Sequence, residues 1–118
     1  MQSASLLAKL ESGDPTALSA IDSIKAATLD GARAMGLDAI TGSLEAGKSA
    51  DIIALDTTGL SMAPSHSLDS NIVYANSGTE VSWSWIAGKN VLKNRQLQTL
   101  DKDTLNDKAR AWRAKLSG

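Results

Sequence analysis

Cysteine is absent from this 118-residue chain, and histidine occurs once, at His66. The first absence excludes a disulfide scaffold and any thiolate-bound metal, and it fits a reducing compartment. The second limits catalysis. Catalytic zinc sites generally take three protein ligands, mostly His with some carboxylate, and two-metal centres need more. One imidazole cannot build such a site unaided. A Ser-His-Asp arrangement through His66 is arithmetically open, yet Pro64-Ser-His-Ser-Leu-Asp-Ser70 lacks the G-x-S-x-G spacing of a nucleophile elbow. His66 therefore reads as a surface-loop residue. No apolar run approaches the ~20 residues needed to cross a bilayer. The opening MQSASLLAKLESGDP lacks the basic start and apolar core of a signal peptide. An excess of one charge is missing too: twelve basic and thirteen acidic side chains leave a net charge of −1. No global field recruits nucleic acid or an anionic membrane. The expectation is a soluble, cytoplasmic chain with one modest core.

What is present reads as helices, then strands, then a helix. Ser3–Glu11 carries an apolar stripe at Leu6, Leu7 and Leu10, stopped by Gly13 and Pro15. Ser19-Ala-Ile-Asp22 has the capping-box form, so Ser19 is the expected N-cap of a helix reaching Gly36. Its apolar face is Ile21, Ile24, Thr28, Ala32 and Met35, and Leu37 beyond Gly36 completes a Schellman ending. Asp51–Asp56 encloses the β-branched, apolar run of a buried strand. Thr57–Ser70 reads as an irregular loop, Asn71–Ala75 as a short strand and Asn76–Thr79 as a turn. Glu80–Ala87 alternates strictly, placing Val81, Trp83 and Trp85 on one face. Gly88-Lys89 is the expected Gly-X turn pair into a strand at Val91-Leu92. The two tryptophans have the spacing of a ring-stacking platform, but such pairs on an alternating strand are normally packing. Finally Leu105, Ala109, Trp112 and Leu116 line one face of a helix capped by Asp101 or Asp103. Lys108, Arg110, Arg113 and Lys115 lie on its solvent side, read as a solvated face rather than a nucleic-acid patch.

Gly42-Ser-Leu-Glu-Ala-Gly47-Lys48-Ser49 satisfies the P-loop pattern G-x-x-x-x-G-K-[ST]. A P-loop works because a strand enters and a helix leaves with its positive end on the phosphate. Here the order is helix, loop, strand, and Glu45 adds negative charge where a triphosphate would sit. The stretch reads instead as a turn, Glu45-Ala-Gly-Lys48, with Gly47 supplying a positive φ. Lys48 is not expected to bind phosphate.

Ala27–Asp38 (ATLDGARAMGLD) followed by Gly42–Asp56 (GSLEAGKSADIIALD) resembles the C-terminal signature of the amidohydrolase superfamily. The likeness is to the branch of triazine hydrolases and methylthioadenosine/S-adenosylhomocysteine deaminases. SGDPTALSA at 12–20, VYANSG at 73–78 and WIAGKNVL at 85–92 agree in order and spacing. The resemblance implies an α+β fragment of a two-part enzyme: a (β/α)₈ barrel with a metal site, and a small β-sandwich. A barrel alone takes ~250 residues, so it lies outside this chain. Residues 1–38 would be the last barrel helices, 39–100 the C-terminal part of the accessory β domain, and 101–118 a closing amphipathic helix.

The family's functional residues are a His-x-His, two further histidines and an aspartate, and none has a counterpart here. The expected assignment is therefore no catalytic, cofactor-binding or metal-binding residue in this chain, with zinc or iron implied only for the parent. That parent would hydrolyse a C–N or C–Cl bond of a nitrogen heterocycle, and this chain would be silent by itself. A second reading is a stand-alone module that self-associates or complements a separate barrel chain. Its motive is the set of strand edges and helix faces left without partners.

Overall fold

A computed structural model describes residues 1–76 and 78–116. The expected α+β order is present. Helices α1 (Gln2–Ser12), α2 (Ala20–Ala27) and α3 (Leu29–Ala34) precede a four-stranded antiparallel sheet. Its strands are β1 (Ile52–Leu55), β2 (Val81–Ile86), β3 (Lys89–Lys93) and β4 (Gln96–Leu97), in spatial order β1-β2-β3-β4. Between β1 and β2 lie a 3₁₀ turn at Leu60–Met62 and a short helix, α4 (Leu68–Ser70), running into a wide helical turn at Asn71–Ala75. Helix α5 (Lys102–Leu116) ends the described chain.

The helix stops follow their local chemistry. Gly13 takes φ 66° at the end of α1. Ser19 Oγ accepts the Asp22 N–H at 3.3 Å and donates to Asp22 Oδ2 at 2.5 Å. Past α3, the Leu37 N–H reaches Ala32 O at 2.8 Å and the Gly36 N–H reaches Arg33 O at 3.0 Å. Those two bonds are the Schellman pair expected from Gly36-Leu37. Asp101, rather than Asp103, caps α5, accepting the Thr104 N–H at 3.1 Å.

Four expectations need correction. The helix expected from Ser19 to Gly36 is two helices, broken at Thr28 (φ −123°, ψ −94°). The Thr28 hydroxyl donates back to Ile24 O at 2.7 Å, the local competition by which Thr disfavours helix interiors. Asn71–Ala75 is helical, not a strand. Ser67 Oγ caps this segment at the Ser70 N–H (3.2 Å), Asn71 Nδ2 holds Met62 O at 2.9 Å, and Val73 is buried. Capping and burial there override the β-propensity of Ile72 and Val73. The β2–β3 turn is centred on Ala87-Gly88 (φ 48° and 75°), with Ile86 opposite Lys89. Positive φ at both central residues is the type I′ pattern, not Gly88-Lys89 in type II′. And β1 is an edge strand with Ile53 59% exposed, not a buried one. Strand β4, entered through Asn94-Arg95 at φ 48° and 62°, was not expected at all. Ser77 of the expected Asn76–Thr79 turn lies outside the described residues, as do Ser117 and Gly118 at the chain end.

Among the described residues the buried apolar set is only Ala32, Met62 and Val73. The chain exposes 8667 Å², whereas a compact protein of 12.3 kDa exposes about 6,100 Å². Its radius of gyration of 17.9 Å likewise exceeds the roughly 13–14 Å of a compact domain this long. Leu10, Met35, Leu44, Leu60 and Leu116 all stand exposed. The elements form, but the chain does not enclose a core of its own.

Candidate functional site

The segment from Ile40 to Asp51 carries the P-loop-like sequence, and its side chains are spent on its own geometry. Glu45 O accepts the Lys48 N–H at 3.2 Å, closing the expected turn with Gly47 at φ 92°. Lys48 Nζ donates to Ser43 Oγ at 2.7 Å and pairs with Glu45 Oε1 at 3.3 Å. With its side chain only 14% exposed, Lys48 braces the loop from within. The segment is followed by β1, not by a helix, so no helix dipole points at it.

Gly42 marks where this loop meets α3. It sits at φ 93°, and a Cβ there would fall 2.7 Å from Ala32 Cβ and 3.1 Å from Leu29 Cα. Only glycine allows that approach. Asp51 fixes the other end. Its Oδ1 accepts the Ala87 N–H at 2.7 Å and its Oδ2 the Thr41 hydroxyl at 3.0 Å. The Ala87 amide, then Thr41, hold the Asp51 carboxyl below its ordinary range because both bonds favour the charged form. In the sequence Asp51 marks a strand boundary, and no spacing signal links it to residue 87.

Between α2–α3 and β1 these constraints leave an open groove of about 620 Å³, walled by Gly31, Ala32, Met35, Leu44, Ile52 and Ile53. It is apolar, with Asp51 at its side. The one hydroxyl–carboxylate contact described in its wall, Thr41 to Asp51, ties the loop through a carboxylate whose basicity its bonds reduce, so the groove suits a packing partner rather than a reaction.

The other candidates fall elsewhere. His66 is exposed in the loop before α4. Among the described residues no three His, Cys, Asp or Glu side chains gather as a metal would need. Trp83 and Trp85 stack at 5.6 Å with an interplanar angle of 10°, and Lys93 Nζ lies 5.7 Å from the Trp83 ring. Both are half-buried over the sheet, which matches packing. One polar knot escaped sequence reading. Ser5 is fully buried, donating to Leu18 O at 2.7 Å and bonded to Tyr74 OH at 2.6 Å. Lys9 Nζ ties the same loop through Pro15 O and Ala17 O, at 2.8 and 2.7 Å. These bonds attach α1 to the 13–18 loop and to the helical turn at Tyr74. They are structural.

Comparison with known proteins gives this geometry its context. A model described as "Amidohydrolase family" matches residues 1–91. The chain is 43% identical over 116 residues to a 5-methylthioadenosine/S-adenosylhomocysteine deaminase of Teredinibacter turnerae, covering 98% of this chain and 26% of that protein. It is 39% identical over 111 residues to a 5′-deoxyadenosine deaminase of Methanobrevibacter smithii, covering 93% and 26%. Among solved structures, an adenosine deaminase from Xanthomonas campestris with bound zinc superimposes with a TM-score of 0.94. That match is 40% identical and covers 98% of this chain and 26% of the other. An atrazine chlorohydrolase from Arthrobacter aurescens complexed with zinc matches with a TM-score of 0.79 at 22% identity over 93% of this chain and 25% of its own. This last likeness concerns the fold alone. The chain spans about a quarter of the length of the relatives it matches.

Proposed function

Because this chain belongs to the amidohydrolase family, we propose that it is the C-terminal portion of a metal-dependent hydrolytic deaminase acting on a C–N bond of an adenine-like heterocycle. The carrying observation is the 43% identity to a methylthioadenosine/S-adenosylhomocysteine deaminase along nearly the whole chain. Zinc accompanies the Xanthomonas adenosine deaminase, but the donors of this chain do not fit a catalytic metal: one exposed imidazole and no clustered carboxylates among the described residues. No chemical step is assigned to its residues. Residues 1–38 contribute the last helices of a barrel, 39–100 part of an accessory β domain, and 101–118 a closing helix. Their role is to cover and complete the catalytic portion.

A chimera tests this. The corresponding quarter of the Teredinibacter deaminase is replaced by this chain, and ammonia release from methylthioadenosine is measured. A folded chimera is expected to turn over, while the purified 118-residue chain with added Zn²⁺ or Fe²⁺ is expected to be inert. A folded, metal-loaded chimera without activity, or turnover by the short chain alone, overturns the proposal. The second reading, a module that associates through its bare faces, is favoured by the exposed area in excess of a compact chain.

A further inference from the structure

We draw no further inference here: the strongest candidate, the apolar groove between α2–α3 and β1, carries nothing because Asp30, Glu45 and Asp51 beside it are already paired within the chain and nothing in the structure shows what covers it.

Discussion

The Asp51 carboxylate accepts the Ala87 backbone N–H at 2.7 Å across 36 positions of sequence. That bond fastens the loop entering β1 to the turn joining β2 and β3, and the Gly88 N–H repeats the link by donating to Ala50 O at 3.1 Å. The carboxylate also holds Thr41, so one side chain ties the groove wall to the sheet. Asp51→Asn keeps one acceptor oxygen and loses the charge. Its expected effect is a lower thermal midpoint with the fold retained, and Asp51→Ala should fall further. Circular dichroism melts of both variants check the order; equal midpoints would remove Asp51 as the fastener.

Acid should loosen the chain through the same kind of contact. Asp51, Asp14, Glu45, Asp56 and Asp101 all titrate below their ordinary values. The chief causes are the Ala87 amide for Asp51 and the hydroxyls of Thr16, Ser43, Thr58 and Thr104 for the others. A folded-state value below the unfolded one adds stability that is fully present above the unfolded value. It is lost as pH falls through that value to the folded one. The loss should therefore begin at roughly pH 4–5 and grow below it. Melts at pH 7, 5 and 3 test this, and a midpoint indifferent to pH across that range contradicts it.

Gly42 and Gly47 have nearly the same φ, 93° and 92°, but different surroundings. Alanine at 47 meets nothing within 4 Å and suffers only backbone strain, about 1 kcal/mol. At 42 the new Cβ also collides with Ala32 and Leu29, adding roughly 1–3 kcal/mol. Denaturant titration of the two variants should separate collision from strain. Equal losses would mean that the loop moves away from α3 freely.

The Ser5–Tyr74 bond should be measurable by a double-mutant cycle. Tyr74→Phe removes one side of a bond that is buried at Ser5 and is expected to cost about 1 kcal/mol, and Ser5→Ala, which also leaves Leu18 O without its donor, more than that. Their combination should fall short of additivity by roughly 0.5–1 kcal/mol. Strict additivity would show that the two hydroxyls do not stabilise each other.

Lys48→Ala should leave ATP affinity where it was, at no detectable binding, while lowering the midpoint by releasing Ser43 and Glu45. Isothermal titration before and after the change decides; saturable ATP binding abolished by the substitution would restore the phosphate-loop reading.

Much of this chain is legible in its sequence because the information is local. Ser19, Gly13, Gly36-Leu37, the Glu45–Lys48 turn and the Asp101 cap need only residues within a few positions of one another, and each took its expected form. That 81–86 is a strand was equally plain from its alternating side chains, although Val81 to Trp85 are all half-buried and only Ile86 is exposed. The rest depended on distance. Thr28 broke a helix that its periodicity would have continued, and Asn71–Ala75 coiled although Ile72 and Val73 favour strands, because Met62 and the Ser67 cap supplied partners. Asp51 found Ala87 and Ser5 found Tyr74 only after the chain had folded.

Composition by itself determined that this chain lacks the imidazoles and thiolates of a catalytic metal site, and its separated blocks placed it among the amidohydrolases. Tertiary structure alone decided that the groove beside β1 stays open and that α5 stands bare. The physical reason is that sequence records which surfaces are apolar, whereas covering them depends on what else is near in space. In this chain, too little is near to cover them.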